Sequence, residues 1–298
     1  MKNERIFIIG CGGMLGSYVY EEFKKDNELL CYDIDDNEEW IEYGDINDLS
    51  FLYKTINTFN PTIVINLAAL TDLEYCENHI KEAYSTNTNS AEYLGDICNE
   101  LGCIYVFIST AGIFDGKREV FTEYEQAFPL SVYGNSKQHS ENTIVNRVTR
   151  CYVIRAGWMF GGGKKDKKFI SKITKQINSG KKEIFVVVDK LGTPTYTKDF
   201  ARSIYNIIEN KLPYGVYNSV NKGKASRYET AKKLIELLGL DIKLTKVDSD
   251  YFIKEYFSPR PKSEQLINLK LDMLGQNIMR HWEDALEDYV NNGKYNEI

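Results

Sequence analysis

Short apolar runs alternate with longer amphipathic segments along the first half of the chain. Apolar runs bounded by turn residues are typical of buried parallel strands, and the longer segments are typical of helices that cover a sheet. Strands are predicted at residues 5–9, 28–32, 62–67, 103–108 and 151–154, and helices at residues 14–25, at residues 81–101 and from Tyr133 onward. This alternation predicts an α/β fold with a doubly wound parallel sheet.

After about residue 157 the pattern becomes less regular. Residues 161–168, which are rich in glycine and lysine, are predicted to form a mobile basic loop. A strand is predicted at residues 185–188, and helices at residues 198–209, 227–238 and 278–291. We therefore divide the chain into a first domain, residues 1–157, and a smaller C-terminal α/β lobe, residues 158–298. Some late segments are expected to return to the first domain.

A glycine-rich turn, Gly10-Cys-Gly-Gly13-Met-Leu-Gly16, lies between the first predicted strand and the first predicted helix. Glycines there let a pyrophosphate approach the backbone at the positive end of the helix dipole. Asp33 ends the second strand, where a carboxylate accepts hydrogen bonds from the adenosine ribose. The alternative is an ordinary strand-helix turn. The context favours a Rossmann-type dinucleotide-binding domain.

The residues after Asp33 bear on the choice of dinucleotide. Asp35, Asp36, Glu38 and Glu39 follow it with no Arg or Lys among them. A 2′-phosphate would meet several negative charges and no bidentate partner. NADH is therefore predicted to be preferred, with NADPH as a second cofactor. The alternative for most of these acids is an exposed, solvated loop.

Tyr133 and Lys137 are spaced by one helical turn. A phenol exchanges a proton at neutral pH only if its pKa of ~10 is lowered, and a lysine cation at ~4 Å favours the phenolate by up to ~4 kcal/mol at an effective dielectric of ~20. We therefore expect Lys137 to lower the pKa of Tyr133. Thr110, at the end of a predicted strand, is expected to bond the same substrate oxygen. Beside a dinucleotide-binding turn, these residues predict hydride transfer to or from a carbonyl.

Each of these assignments has a structural alternative. A Tyr-x-x-x-Lys spacing taken alone also describes a solvated surface pair. Thr110 at a strand end also describes a cap for the next segment.

Composition excludes several classes of function. The net charge of −6 and the lack of a basic stripe argue against a nucleic-acid surface. No apolar stretch approaches the ~20 residues that span a bilayer, and residues 1–5 run into the first strand without a signal sequence, so a cytoplasmic protein without membrane contact is expected. The six cysteines include no Cys-x-x-Cys pair, so buried reduced thiols are expected, with no metal site.

Several elements, in this order, make the chain similar to the extended short-chain dehydrogenase/reductases and, within them, to the dTDP-4-dehydrorhamnose reductase family. Besides the glycine turn and Tyr133-Gly-Asn-Ser-Lys137, they are Gly44-Asp45-Ile46, Pro61-Thr-Ile-Val-Ile-Asn-Leu-Ala-Ala-Leu-Thr71, Ile108-Ser-Thr-Ala-Gly-Ile-Phe-Asp-Gly116, Arg155-Ala-Gly-Trp-Met-Phe-Gly161, Gly192-Thr-Pro-Thr-Tyr196 and Arg260-Pro-Lys-Ser263.

The resemblance implies a role for each matching residue. Thr110, Tyr133 and Lys137 would form the catalytic set, with Tyr133 giving a proton to the C4 oxygen of a sugar nucleotide while the nicotinamide gives hydride to C4. The residues expected to bind the cofactor are Gly10, Gly13, Met14, Leu15, Gly16, Asp33, Asp45, Ile46, Ala69, Leu70 and Thr71, together with Tyr133 and Lys137. Those expected at the substrate are Thr110, Ala111, Trp158 and Arg260, the last as a phosphate partner. Whether the protein forms a homodimer is left undecided by the resemblance.

The chain departs from the family at one place. Members usually read Ser-Thr-Asp-Tyr-Val-Phe, whereas here Ala111 and Gly112 replace the Asp and the Tyr. The sugar pocket is therefore expected to be more open, with the lost ring partly replaced by an aromatic residue of the second lobe: Trp158, Tyr196 or one within residues 251–257. The alternative is that these aromatics form the core of that lobe.

The function that this resemblance implies is reduction of a 4-keto-6-deoxy sugar nucleotide. A sugar-nucleotide epimerase or dehydratase is the first alternative, although Ala111-Gly112 provides no acid to help water leave. A non-catalytic, cofactor-binding regulatory subunit is the second.

Overall fold

A computed structural model describes residues 1–293 and 295. Its strands are β1 (Arg5–Ile9), β2 (Glu28–Asp33), β3 (Glu42–Tyr43), β4 (Ile63–Asn66), β5 (Ile104–Thr110), β6 (Val120–Phe121), β7 (Cys151–Ala156), β8 (Trp158–Phe160), β9 (Glu183–Val187), β10 (Leu191–Gly192), β11 (Pro194–Tyr196), β12 (Gly215–Asn218), β13 (Ala225–Ser226), β14 (Lys243–Val247) and β15 (Ser263–Leu266). Its α-helices are α1 (Gly16–Phe23), α2 (Leu49–Phe59), α3 (Leu73–Asn78), α4 (Ile80–Tyr84), α5 (Ser90–Leu101), α6 (Val132–Arg147), α7 (Phe169–Asn178), α8 (Thr197–Glu209), α9 (Arg227–Leu237), α10 (Leu269–Met273) and α11 (Trp282–Asn291).

The central sheet has seven strands in the order β12-β7-β5-β4-β1-β2-β3, and every neighbouring pair is parallel. Chain order reverses between β1 and β4, which opens a crevice at the carboxyl ends of these strands. The glycine turn follows β1 directly. The predicted doubly wound parallel sheet is confirmed, and its topology places the turn at this crevice.

Alternate residues of the central strands enter separate cores on the two faces of the sheet. Ile6 and Ile8 of β1 join one buried cluster, whereas Phe7 and Ile9 join the other. Because side chains of a strand alternate between faces, a strand covered by helices on both faces reads as one continuous apolar run. This burial on both faces explains why the central strands could be predicted from continuous apolar runs in the sequence.

Two predicted helices differ from the observed ones. The helix predicted at residues 81–101 is interrupted by a π-helical turn, Ser85–Asn89, between α4 and α5. The helix predicted to start at residue 278 begins at Trp282, because His281 is its N-cap and also forms a bridge with Lys222. Helices α2 and α7 were not predicted.

The second half of the chain contributes to both parts of the fold. β12 adds the last strand to the central sheet beside β7, and the face of α8 that includes Ile204 packs in the same core as Val19 of α1. Smaller sheets, β13-β10-β15-β6, β11-β8 and β14-β9, form the rest of this half. Residues that precede and follow position 157 thus share one core, and the domain division at that position stays a prediction.

Two sequence expectations concern the molecule as a whole. All six cysteines are buried and unpaired, as expected for reduced thiols. Within residues 1–293, no helix is both long enough and apolar enough to cross a membrane.

Candidate active site

A cavity of about 2190 Å³ opens at the crevice and extends to the second half of the chain. It exceeds the roughly 300–1,000 Å³ of an ordinary small-molecule site. Most of the predicted cofactor residues line it: Gly10, Gly13, Met14, Leu15, Asp33, Asp45, Ile46, Ala69, Leu70 and Thr71. The predicted catalytic and substrate residues line it as well: Thr110, Ala111, Tyr133, Lys137, Trp158 and Arg260. The fold therefore brings these sixteen positions, far apart in sequence, to one cavity.

The glycines of the turn serve close packing. Gly10 has φ of +89°, and a Cβ there would stand 2.2 Å from the Ala68 nitrogen at the end of β4. A Cβ on Gly16 would stand 1.9 Å from the Cys11 carbonyl oxygen, so Gly16 lets α1 start directly against the turn and lies behind the cavity wall. A Cβ on Gly13 would make only an ordinary contact, at 3.8 Å from the Gly10 carbonyl oxygen. This shape fits close approach of a dinucleotide backbone.

Asp33 is held in place by the turn that it faces. One carboxylate oxygen accepts the Gly12 N–H at 2.8 Å and the other accepts the Asp35 N–H at 2.8 Å. Each oxygen keeps a lone pair, which suits it to the hydroxyls of a ribose. The Asp33 carboxylate and the glycine turn together fit an adenosine dinucleotide.

A lysine from the second half of the chain reaches the acidic stretch after Asp33. Lys165 Nζ lies 2.9 Å from Glu38 Oε1 and 3.2 Å from Ser17 Oγ. Sequence proximity did not reveal this cation, because it is more than a hundred residues away along the chain.

The loop that carries Lys165 was predicted to be mobile, but it has buried anchors. Asp166 is buried and accepts the N–H groups of Gly161 and Lys168. Lys168 in turn donates to the Thr71 hydroxyl at 2.8 Å.

Thr110 and Tyr133 meet where β5 ends and α6 begins. Ser131 caps α6 by accepting the Gly134 N–H at 3.1 Å, and a Cβ on Gly134 would stand 2.3 Å from the Gly112 carbonyl oxygen. The helix therefore lies directly against the turn after β5. The Thr110 hydroxyl accepts the Gly112 N–H at 3.1 Å and lies close enough to Tyr133 to lower its pKa. The fold thus brings the predicted catalytic pair together.

Burial has the largest effect on the pKa of Tyr133, and Lys137 is not among its main causes. Desolvation raises the pKa of Tyr133 to about 12, against a lowering by the Thr110 hydrogen bond. Burial lowers the pKa of Lys137 to about 7, although Glu141 raises it. The expectation that Lys137 lowers the pKa of Tyr133 is therefore wrong for this structure, because a desolvated lysine loses its own charge near neutral pH.

Lys137 sits in the floor of the cavity above a buried ion pair. Its Nζ lies 3.9 Å from the centre of the Phe107 ring. One turn further along α6, Glu141 accepts hydrogen bonds from the Arg155 guanidinium and from Ser109 Oγ at 2.8 Å. This network fixes the part of α6 that carries Lys137 to the strands β5 and β7.

The π-helical turn contributes a residue that was not predicted. Asn87 Oδ1 accepts the Leu70 N–H at 2.8 Å, and its Nδ2 donates to the Leu70 carbonyl and to Ser136 Oγ at 3.0 Å each. One buried amide thus holds the predicted cofactor segment 69–71 next to the helix that carries Lys137. Its sequence signal was weak, since a single Asn in an amphipathic helix indicates no particular partner.

The end of the cavity that is predicted to hold the sugar, here called the sugar end, is formed by the second half of the chain. Trp158 Nε1 donates to Glu264 Oε2 at 2.7 Å, and the Arg227 guanidinium lies 3.6 Å above the Trp158 ring centre. Burial lowers the pKa of Arg227 to about 10, while Glu264 raises it. Neither Glu264 nor Arg227 was predicted.

Two residues predicted near the substrate have other partners. Arg260 donates to both carboxylate oxygens of Glu74, at 2.6 and 2.9 Å, so its fork is already occupied by a carboxylate. Tyr196 is buried, stacks on Phe160 and shares a hydrogen bond with the Tyr18 hydroxyl. Tyr196 is therefore a core residue, which agrees with the alternative that these aromatic residues form the core of the second lobe. Trp158, in contrast, lines the cavity.

Comparisons with known proteins agree with this geometry. The family described as RmlD substrate binding domain matches residues 4–295. The chain is 29% identical to the spore coat polysaccharide biosynthesis protein SpsK of Bacillus subtilis (strain 168), over 96% of both proteins. A dTDP-4-dehydrorhamnose reductase from Clostridium acetobutylicum superposes with a TM-score of 0.89 at 31% identity, covering 97% of this chain and 99% of that one.

A second solved structure carries a cofactor. The dTDP-4-dehydrorhamnose reductase of Bacillus anthracis, in complex with NADP, has a TM-score of 0.89 and 28% identity, and covers 98% of this chain and 100% of that one. The family match extends over almost the entire sequence. This chain therefore belongs to the dTDP-4-dehydrorhamnose reductase family of the extended short-chain dehydrogenase/reductases.

Proposed function

We propose that this protein is an NAD(P)H-dependent reductase that converts the C4 ketone of a 4-keto-6-deoxy sugar nucleotide to an alcohol. The observation that carries the proposal is the cavity itself, because Thr110, Tyr133 and Lys137 line the same cavity as the glycine turn and Asp33. A proton donor and a dinucleotide-binding turn within one cavity are the parts that carbonyl reduction requires.

Each side chain has a part in this chemistry. NAD(P)H, when bound, supplies the hydride that reaches the ketone carbon. Tyr133, with its pKa raised to about 12 by burial, stays protonated at neutral pH and can donate its proton to the ketone oxygen. Thr110 would orient that oxygen through its hydroxyl. Lys137, one turn behind Tyr133, would stabilise the phenolate that remains, in its protonated form.

A basic wall supports a diphosphate-containing substrate. The segment that faces the cavity between the glycine turn and the sugar end contributes Lys164, Lys165, Lys167, Lys168 and Lys172. Arg227 adds a guanidinium beside Trp158. Clustered cations of this kind favour phosphate groups, although the chain as a whole is acidic. A sugar nucleotide carries such groups next to the sugar.

For the cofactor we propose that NADH is preferred and that NADPH is also used. Asp33 and Asp35 disfavour a 2′-phosphate by charge repulsion. Lys165, paired with Glu38, offsets part of that repulsion. The two effects oppose each other, so we expect a moderate preference for NADH.

An epimerase or dehydratase of the same superfamily is the second candidate. The observation that favours it is a carboxylate near Thr110: Glu264, from β15, stands across Gly112 from the Thr110 hydroxyl. This supplies the acid that Ala111-Gly112 lacks. A regulatory subunit without activity is the third candidate, and the contact between Thr110 and Tyr133 argues against it.

One assay separates the three candidates. The protein is mixed with NADH and a 4-keto-6-deoxy sugar nucleotide, and both the cofactor absorbance and the sugar product are followed. A reductase consumes NADH in stoichiometric amounts, whereas a regulatory subunit consumes none. In a parallel mixture, a sugar nucleotide with C4 and C6 hydroxyls is supplied with NAD⁺, and an epimerase or dehydratase changes this sugar without net consumption of cofactor. Tyr133→Phe should lower turnover by at least ~100-fold while NADH affinity stays the same. Turnover of that variant within a few fold of wild type would remove Tyr133 from the mechanism.

A further inference from the structure

Three side chains from different elements converge on the space beside Gly112. A methyl group on Gly112 would stand 3.4 Å from Thr110 Oγ1, 3.6 Å from Glu264 Oε1 and 3.7 Å from Tyr133 Cε1. β5, β15 and α6 supply these three residues. Glu264 therefore approaches the proton-donating pair from the second half of the chain, at the place where the family usually has an aromatic ring.

This space is partly open. A small cavity of about 30 Å³, roughly the volume of one water molecule, is lined by Gly112, Tyr133 and Glu264. Glu264 also lines the large cavity. Its carboxylate is therefore accessible both to the substrate side and to this recess.

The Glu264 carboxylate is held through one of its two oxygens, Oε2, while the other oxygen is left to bind a ligand. Trp158 donates to Oε2, and the Trp158 ring is fixed against Gly192, where a Cβ would stand 2.2 Å from the ring. Among the described residues, no hydrogen bond reaches Oε1, and no cation lies within ion-pair distance of the carboxylate. An ionised carboxylate accepts hydrogen bonds only. Its free oxygen thus calls for a donor from a ligand.

We propose that Glu264 is a substrate-selecting residue, whose Oε1 accepts a hydrogen bond from a donor on the sugar carbon next to the reacting ketone. This inference rests on the proposed function and narrows its substrate class. Of the two carbons that flank a C4 ketone in a 6-deoxy sugar, C5 carries the methyl group, so the donor belongs to C3. Both a hydroxyl and an ammonium group supply the required chemistry.

Substrate selection depends on the difference in binding between a sugar that has a hydrogen-bond donor at C3 and one that lacks it. A site built to accept a hydrogen bond rejects an analogue that lacks the donor, because the bound analogue shields the acceptor from water and leaves it unpaired. A sugar nucleotide with a C3 donor should therefore be preferred over its 3-deoxy counterpart. The Glu264→Gln substitution keeps an oxygen for Trp158 but removes the negative charge, which weakens the hydrogen bond to the donor on C3.

The test measures kcat/KM of wild type and Glu264→Gln on three substrates: a 4-keto-6-deoxy sugar nucleotide with a C3 hydroxyl, its 3-deoxy analogue and its 3-amino analogue. Wild type should prefer the hydroxyl over the deoxy compound by at least ~tenfold, and Glu264→Gln should reduce that ratio to within about threefold of unity. A larger loss on the amino compound than on the hydroxyl compound would identify ammonium as the natural donor, and the reverse would identify hydroxyl.

Two variants make the result specific. Glu119→Gln, which removes an exposed carboxylate paired with Lys224, should leave the ratio unchanged. Gly112→Ala places a methyl group at ordinary contact distance from all three side chains, fills the recess and should also lower the ratio. If Glu264→Gln fails to fold, the test rests on Gly112→Ala, and an unchanged ratio in that variant would overturn the proposal. An equal loss on hydroxyl and deoxy substrates, with the ratio kept, would show that Glu264 only supports Trp158 and would overturn the proposal.

A binding measurement separates this inference from the proposed function. The reduced sugar nucleotides with and without the C3 hydroxyl are titrated into protein saturated with NADH, a combination that cannot react because both partners are already reduced. If no ketone is reduced but the affinity ratio depends on Glu264, the selecting role stands and the reductase assignment fails. If ketones are reduced but wild type binds both compounds equally, Glu264 does not select and the reductase assignment stands.

Discussion

Lys137 is a cation buried against an aromatic ring, and its burial has a cost in stability. Desolvation lowers its pKa to about 7, so between pH 7 and its ordinary value of 10.5 the unfolded chain holds a proton that the folded chain releases. Stability therefore rises with pH across that window. The charged form, which supports the Tyr133 phenolate, is the form that destabilises the fold.

Replacement of this lysine should separate stability from activity. Lys137→Met should raise the unfolding free energy at pH 6 by a few kcal/mol, and its advantage over wild type should fall by about 1.4 kcal/mol per pH unit between pH 7 and pH 9. Denaturant unfolding at three pH values measures this. Turnover should be lost at every pH. A Met variant that is less stable than wild type at pH 6 would contradict the burial penalty.

Lys165 offers a test of cofactor choice. Its ammonium pairs with Glu38 near Asp33, so its removal leaves only acids beside the ribose site. Lys165→Met should lower kcat/KM for NADPH by about tenfold more than for NADH, the scale of one hydrogen bond to a charged group. Lys175→Met, which changes an exposed lysine of α7 that does not line the cavity, is the matched control and should change neither value. Equal losses with both cofactors would show that Lys165 serves the pyrophosphate or the loop.

The sequence predicted which residues the fold brings together better than it predicted their electrostatics. Spacing and motif order singled out Thr110, Tyr133 and Lys137, which line one cavity. The pKa of Tyr133 was predicted in the wrong direction, since the spacing to Lys137 does not show how deeply the fold buries the phenol. Glu264 was missed because it reaches Thr110 from a strand more than a hundred residues later.

Among the secondary-structure elements, the π-helical turn Ser85–Asn89 has the clearest functional link. The extra residue in a π-helical turn displaces the helix face, and such turns are frequent at functional sites. Here it directs Asn87 into the space between the segment at Leu70 and α6. The sequence predicted one continuous helix because the apolar period on either side of this turn is helical.

Loss of the Asn87 amide should loosen the cofactor segment. Asn87→Ala leaves the Leu70 N–H and C=O without their side-chain partner, which should cost about 1–3 kcal/mol of stability. The dissociation constant of NADH should rise by about tenfold, as followed by fluorescence titration. Asn146→Ala, an exposed asparagine near the end of α6, is the control and should change neither quantity. Unchanged NADH affinity in Asn87→Ala would assign Asn87 to stability alone.

Across the fold, one ion pair joins the two sides of the cavity mouth. Arg260, from the second half of the chain, forms a bidentate pair with Glu74 of α3. Burial raises the pKa of Glu74, but the hydrogen bonds and charge of Arg260 outweigh it, so the net pKa is lowered. This pair therefore stabilises the fold above the ordinary carboxylate pKa of 4.5, and the contribution is lost as the pH falls through the lower value.

Breaking the pair should affect the substrate side selectively. Arg260→Met should lower the unfolding free energy at pH 7 by about 1–3 kcal/mol, because it leaves a partly buried carboxylate unpaired. The difference from wild type should shrink below pH 4.5. KM for the sugar nucleotide should rise while NADH affinity stays constant. If a Glu74→Gln/Arg260→Met double variant loses as much stability as the sum of the two single losses, the two residues act independently.

β12 closes the central sheet with residues 215–218, which lie beside β7. During synthesis, β7 therefore leaves the ribosome as an open strand edge and stays so until about sixty further residues have followed. An unpaired, apolar edge is a template for pairing between chains. The central sheet is thus completed only by a strand from the second half of the chain, so a fragment cut near residue 157 would expose β7 and aggregate.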